Sequence, residues 1–265
     1  MSRVAVIQLT SESDIESNCA HIDRLLAQAS AQGAQLALLP EMLFTLDKQF
    51  YRQLAAEPCW LERLAQWART HQLWLVAGAV PQPSPDGDAR VRSASLVFNT
   101  DGDCVARYDK VHLFDVDVAD EQGRYRESEQ FSPGDEWVVV DTPVGRLGLA
   151  ICFDVRFPHV FQRLRAAGAE LISLPAAFTY HTGEAHWQVL LRARAIEQQC
   201  YVLAANQCGW HDERRQTWGH SQIVDPWGRV LIELAHEPGV ALAEIDLTEL
   251  HALRQRMPLQ ARLLD

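Results

Sequence analysis

The sequence predicts an α/β fold in which two sheets pack together with helices outside both. Three observations predict it. Apolar runs of four to seven residues alternate with helical patterns. Several of these runs are unbroken, as in strands covered on both faces. The same order of elements returns in the second half of the 265 residues.

Residues 4–9 (VAVIQL) form the first expected strand. Ser13 and Glu16 have capping-box spacing. Ile15, Cys19, Ile22, Leu26 and Ala29 then recur at steps of four and three, which predicts a helix buried on one face and closed by Gly33. Residues 36–39 (LALL) are a strand ended by Pro40. A helix is expected over 47–71, with Trp60, Leu64 and Trp67 on one face, and a strand over 74–80. Residues 93–98 and 104–108 flank Asn-Thr-Asp-Gly and read as a hairpin. The polar stretch 115–135 has no periodicity and is expected to be a long functional loop.

The pattern then repeats. Strands are expected at 137–140, 146–151, 171–174 and 201–205, and helices at 157–167 and 183–199. A hairpin about Asp-Pro-Trp-Gly (221–224 with 230–234), a strand at 240–245, a short helix and a tail at 257–265 complete the chain. No shift in composition marks a linker, so one domain is expected over 1–265.

With 24 basic and 35 acidic residues the formal charge is −11. That balance argues against nucleic acid, which needs clustered Lys and Arg, and against an anionic membrane surface. No apolar run approaches the ~18 residues of a membrane span. The N-terminus lacks a signal-peptide core, so a cytoplasmic protein is expected. Six cysteines without any C-x-x-C pair give no zinc-ribbon or thioredoxin motif and are expected to be free thiols. Cys19 and Cys104 are expected to be small buried hydrophobes.

Cys152 (RLGLAICFDVRFP) follows an apolar strand and precedes a helix. That is the carboxyl end of a strand, where α/β sheets place their sites. The helix N-terminus is expected to lower its thiol pKa. Glu41 (LALLPEMLF) and Lys110 (CVARYDK) also end strands. Each alone reads as an ordinary core cysteine, a first-turn glutamate or a solvated hairpin end. Together they supply a thiol, a base and a cation, the parts that thiol chemistry on a carbonyl requires. His112, His186 and His220 are expected to be structural or substrate-lining, and no metal-ligand pattern is present.

LLPEMLF, YDKVHLFD and LAICFDVRFP, in this order, resemble the three signatures of the nitrilase superfamily of carbon–nitrogen hydrolases, and the resemblance runs from VAVIQ to ALAEIDL. It implies a four-layer αββα sandwich, Glu41, Lys110 and Cys152 as a catalytic triad, and a second glutamate in the long loop. Glu127 in YRESEQFSPGD is the matching position, with Glu129 two residues on. The implied chemistry is thioester formation on Cys152, with Glu41 as base and then acid. Lys110 and the backbone N–H of Phe153 would serve the oxyanion, with Glu127 holding Lys110 or the leaving group. It needs no metal or organic cofactor. A small-molecule amide substrate and a homodimer or higher homo-oligomer are also implied.

The stretch 206–211 (NQCGWH) resembles the deaminated glutathione branch of the Nit subgroup more than the ω-amidase branch, which acts on 2-oxoglutaramate. Both substrates share one acyl group and differ in the leaving amine. Gln207, Arg214 and Arg215 are therefore candidate substrate contacts, and Arg156 is a further candidate for a substrate acid. Nitrile and N-carbamoyl hydrolysis use the same triad. A thiol redox protein and an interaction protein with a decayed site are the rivals from other classes. The first lacks a resolving cysteine in the motif, and the intact Glu, Lys, Glu and Cys set speaks against the second.

Overall fold

A computed structural model describes residues 1–120 and 123–259. The first half builds β1 (Ser2–Gln8), α1 (Ile15–Ala31), β2 (Leu36–Leu38), α2 (Tyr51–Ala56), α3 (Cys59–His71), β3 (Trp74–Val76), β4 (Val80–Pro83), β5 (Val91–Phe98) and β6 (Cys104–Asp109). A two-stranded excursion follows, β7 (Asp115–Asp117) with β8 (Arg124–Arg126). The second half builds β9 (Val139–Thr142), β10 (Gly145–Leu149), α4 (Pro158–Ala166), β11 (Leu171–Ala176), α5 (Tyr180–Gln198) and β12 (Tyr201–Asn206). Beyond it come a ribbon of β13 (Cys208–Trp210) and β14 (Gln216–Trp218), a hairpin of β15 (Gln222–Val224) and β16 (Val230–Glu233), β17 (Gly239–Ile245) and α6 (Leu247–Arg256).

One sheet runs β17-β1-β2-β3-β5-β4, with β6 also paired to β5. The other runs β16-β15-β12-β11-β10-β9. The period of two along β1 explains the layering. Val4 and Val6 pack in the same core cluster as Leu147 and Leu149 of β10. Ala5, Ile7 and Leu9 pack instead with Ile22 and Leu26 of α1 and Leu64 of α3. On the far side α4 and α5 bury Val160, Phe161, Leu164, Trp187 and Leu191. The result is the expected αββα order. The sheets meet where Leu9 bridges Gln207 and the Cys208 N–H donates to Leu9 O at 2.7 Å.

Several expectations are corrected. Asp14, rather than Ser13, caps α1 by accepting from Glu16 N and Ser17 N. The single helix expected over 47–71 is broken into α2 and α3 at Pro58, which cannot continue an i→i−4 ladder. The strand expected over 74–80 divides at Gly78 into β3 and β4. The polar stretch 115–135 contains the β7–β8 ribbon. Cys104 is exposed, at the start of β6, where successive residues on both faces meet solvent. All six cysteines are free thiols. The tail expected at 257–265 is described only as far as residue 259. Among the described residues no helix is long and apolar enough to cross a membrane.

Candidate active site

The expected site residues emerge where strands end. After β2 the chain passes Pro40 and brings Glu41 into a parallel bridge with Ala79, and Met42 N donates to Ala79 O at 2.8 Å. This crossing requires glycine at position 78. Its φ is +53°, and a Cβ there would overlap the Pro40 carbonyl. Lys110 follows β6, with its N–H on Ser93 O at 2.9 Å. Glu127 opens a 3₁₀ turn just after β8 and accepts from Phe114 N at 2.6 Å.

Cys152 opens a second 3₁₀ turn, Cys152–Arg156, with φ +45°. A non-glycine residue there is strained by roughly 1–3 kcal/mol and persists only if its surroundings dictate it. Asp154, fully buried, does so. Its carboxylate accepts from Ile151 N (2.9 Å) and Tyr108 OH (2.7 Å), and lies 2.8 Å from His112 Nδ1. The Cys152 turn is thereby tied to β6, two residues before Lys110.

Lys110 Nζ lies 2.8 Å from Glu41 Oε1 and 2.9 Å from each Glu127 oxygen. The other Glu41 oxygen accepts from Ala177 N at 3.0 Å. Cys152 lines the same cavity as Glu41, Lys110 and Ala177. Side-chain exposure is 1% for Lys110, 6% for Glu41 and 12% for Glu127, so solvent screens these charges little. Burial alone would pull the Lys110 ammonium down, but the Glu127 and Glu41 charges outweigh it and hold its pKa well above the ordinary lysine value. Burial pushes Glu127 up despite Lys110 beside it. The Cys152 thiol is pushed well up, first by burial and then by the charge of Glu41. This reverses the expected lowering. Burial thus favours the protonated thiol, with the Glu41 carboxylate in the same cavity.

These groups floor a cavity of about 280 Å³, walled by Phe114, Tyr125, Phe131, Phe153 and Phe178, with Tyr51 on one side. Phe153 is the second residue of the 3₁₀ turn, where backbone N–H groups have no intrahelical acceptor. Among the described residues no cluster of three or more His, Cys, Asp or Glu side chains is arranged to hold a metal.

The carbon–nitrogen hydrolase family model matches residues 3–255. The chain belongs to the carbon–nitrogen hydrolase family. A deaminated glutathione amidase of Yersinia enterocolitica is 44% identical to it over 262 residues, covering 97% of this chain and 91% of that protein. The crystal structure of the Caenorhabditis elegans NitFhit protein superposes with a TM-score of 0.90 at 41% identity, over 97% of this chain and 63% of that one. A glutamate-to-glutamine variant of the amidase from Nesterenkonia sp. AN1, in which acrylamide has added at the active-site cysteine, superposes with a TM-score of 0.82 at 30% identity. It is matched over 97% of this chain and 98% of that one.

In this carbon–nitrogen hydrolase, the outer candidates divide. Phe153 and Arg215 line the cavity; Arg156, Gln207 and Arg214 do not. Gln207, expected to touch substrate, is fully buried and its amide is occupied by protein. Oε1 accepts from Ser11 N at 3.0 Å, and Nε2 donates to Ser11 Oγ (2.8 Å) and Glu41 O (3.0 Å). It positions the Glu41 backbone. Arg156 lies 3.2 Å from His186 Nδ1 and over the rings of Phe178 and Phe153. Arg214 is exposed, its backbone N–H on Asp212. Glu129 sits apart from Lys110, paired with Arg124. None of the three histidines lines the cavity: His112 stacks on Phe157 at 3.7 Å, and His220 pairs with Glu233. Gly78, Asp154 and Tyr51 were missed. Only Gly78 carried a local signal, a glycine within an apolar run.

Proposed function

We propose that this carbon–nitrogen hydrolase is an amidase that cleaves deaminated glutathione to 2-oxoglutarate and cysteinylglycine through a thioester on Cys152. The observation that carries the chemistry is a buried Cys152 thiol that shares one cavity with Glu41 and with Lys110, itself held between Glu41 and Glu127. The relative from Yersinia enterocolitica, named for that substrate, supports the acyl class.

Glu41 takes the thiol proton as Cys152 Sγ attacks the amide carbon. The carbonyl oxygen gains charge near the Lys110 ammonium and Phe153 N–H, the donors that an oxyanion requires. The C–N bond breaks and the departing nitrogen takes the proton from Glu41. Water then enters, Glu41 removes one of its protons, and hydroxide attacks the thioester. The C–S bond breaks, the acid leaves, and the thiolate recovers its proton from Glu41. Glu127 holds the Lys110 ammonium in place. No step requires a metal or organic cofactor. A homodimer or higher homo-oligomer accords with the partly exposed Val189 and Ile196 on α5, and a cytoplasmic setting accords with six free thiols.

The test is kcat/KM on one preparation for deaminated glutathione, 2-oxoglutaramate, aliphatic nitriles and N-carbamoyl amino acids. Deaminated glutathione is expected to be preferred, with measurable turnover of 2-oxoglutaramate because the acyl group is shared. A clear preference for 2-oxoglutaramate would make the enzyme an ω-amidase. Hydrolysis of neither amide, with rapid turnover of a nitrile or carbamoyl compound, would overturn the amide reading.

A further inference from the structure

We infer that Arg215 binds the terminal carboxylate of the leaving amine and thereby sets which of two amides with the same acyl group is preferred. The inference rests on the amidase reading above. It begins with charge. The floor sets the carboxylates of Glu41 and Glu127 against the one ammonium of Lys110. An anionic substrate approaches such a floor only if the wall supplies cations.

Besides Lys110, four cationic side chains line the cavity: Lys48, Arg124, Arg126 and Arg215. Arg124 pairs with Glu129. Arg126 donates to Val116 O at 2.9 Å and Tyr125 O at 2.7 Å, and pairs with Asp117 at 2.9 Å. Lys48 is exposed. Arg215 differs from all three. It is half-buried, no salt bridge engages it among the described residues, and its Nε is buried with no acceptor. Neither acidic residue of its own loop forms a salt bridge with it among the described residues, and Glu213 is exposed. Asp212 Oδ1 already accepts from Arg214 N (2.7 Å) and Arg215 N (2.8 Å). The phenol of Tyr51, which also lines the cavity, donates to Leu46 O at 3.1 Å. A buried guanidinium N–H without an acceptor is costly, and a carboxylate satisfies it with matching planar geometry.

The side of the cavity decides which carboxylate. The ribbon that carries Arg215 is anchored beside Glu41: Gln207, just before β13, donates to Glu41 O at 3.0 Å, His211 Nδ1 lies 2.9 Å from Ser11 O, and the His211 N–H donates to Arg215 O at 3.0 Å. Arg215 therefore enters the cavity from the side of Glu41, the carboxylate that exchanges the proton. Arg156 instead ends the turn that Cys152 opens. Since the departing nitrogen takes its proton from Glu41, the leaving group lies on the Arg215 side. Cysteinylglycine ends in a carboxylate, and ammonia has none.

The experiment compares parent, Arg215→Met, Arg215→Lys and Arg214→Met on deaminated glutathione, its C-terminal carboxamide and 2-oxoglutaramate. Arg215→Met is expected to lose roughly 10- to 100-fold in kcat/KM on deaminated glutathione, the range of one charge-assisted hydrogen bond. Its 2-oxoglutaramate turnover is expected to stay at the parent level, which also shows the floor intact. Lysine should restore part of the loss, and Arg214→Met should behave as the parent. Amidating the terminal carboxylate should cost the parent the same factor and Arg215→Met nothing more. Equal loss on both amides, or loss on neither, overturns this inference and leaves the amidase reading standing. A parent that hydrolyses neither amide overturns both.

Discussion

The floor of the cavity and the loop between β13 and β14 at its rim are built on opposite principles. Floor residues come from the ends of β2, β6 and β10 and the turn after β8. Glu41, Lys110 and Cys152 are buried and Glu127 is mostly so, and Lys110 ties the two glutamates together. The rim presents two neighbouring arginines of which one faces the cavity and one faces solvent. The floor fixes what bond is cleaved, because its geometry is over-determined by backbone and by Asp154. The rim is free to vary without disturbing the floor, so it is where one chemistry acquires a substrate.

The largest effect expected from breaking the floor is at Cys152. Cys152→Ala should abolish turnover while the thermal unfolding midpoint stays near the parent value; retention of activity within about tenfold of parent would remove Cys152 from the chemistry. Next is Glu41→Gln, which keeps the shape and removes the base. It should cost roughly 10²–10⁴-fold in kcat, the range of a positioned acid–base group.

Lys110→Met tests the electrostatics. Removing the cation from between two buried carboxylates should lower stability at neutral pH by about 3–5 kcal/mol. The pH dependence follows from the directions of shift. Burial already holds Glu127 above the ordinary carboxyl value, and without Lys110 it should rise further. A raised carboxyl contributes stability below its unfolded pKa and loses it as pH rises through the folded one. The variant should therefore approach the parent in acid and fall away towards neutrality. In the parent, the raised Lys110 keeps its contribution until the pH exceeds the ordinary lysine range. A destabilisation independent of pH would show that Lys110 acts by packing alone. The measurement is thermal unfolding across pH.

Smaller effects belong to the supports. Gln207→Ala removes the donor to Glu41 O and leaves Ser11 N without its side-chain acceptor, so a loss of about 1–3 kcal/mol in unfolding is expected. Its kcat should fall more than its KM rises, because it orients the base without touching substrate. At the outer limit of the rim, Arg214→Met should change stability by no more than about 0.5 kcal/mol and leave both amides unaffected.

The same contrast explains what could be read before any coordinates. Strand ends are legible because an apolar run stops abruptly at a polar residue, as LALL does before Pro40 and Glu41. Glu41, Lys110 and Cys152 can be placed on that ground, and the family resemblance adds Glu127, with Glu129 two residues on, to hold Lys110 or the leaving group. What holds them was not legible. Asp154 reads as a polar residue after a strand, and only the fold shows it buried under Tyr108 and His112. The conflict at Gly78 is with a backbone carbonyl 38 positions away in sequence, and no local pattern encodes that. The rim was legible only as a loop with two arginines. Which one faces inward depends on the β13–β14 register and on Asp212 holding both backbone N–H groups. The thiol pKa was misread for a related reason: the helix-end field was visible in sequence, and the burial that outweighs it was not.

The central claim is that one cysteine carries the acyl group whatever the leaving amine. Intact mass after rapid acid quench during turnover tests it most directly, with deaminated glutathione and 2-oxoglutaramate as separate substrates. The account predicts the same added mass from both, that of the shared acyl group, located on Cys152 by peptide mapping and absent from Cys152→Ala. Different masses from the two amides, an adduct on another residue, or turnover with no covalent species at any quench time would contradict it.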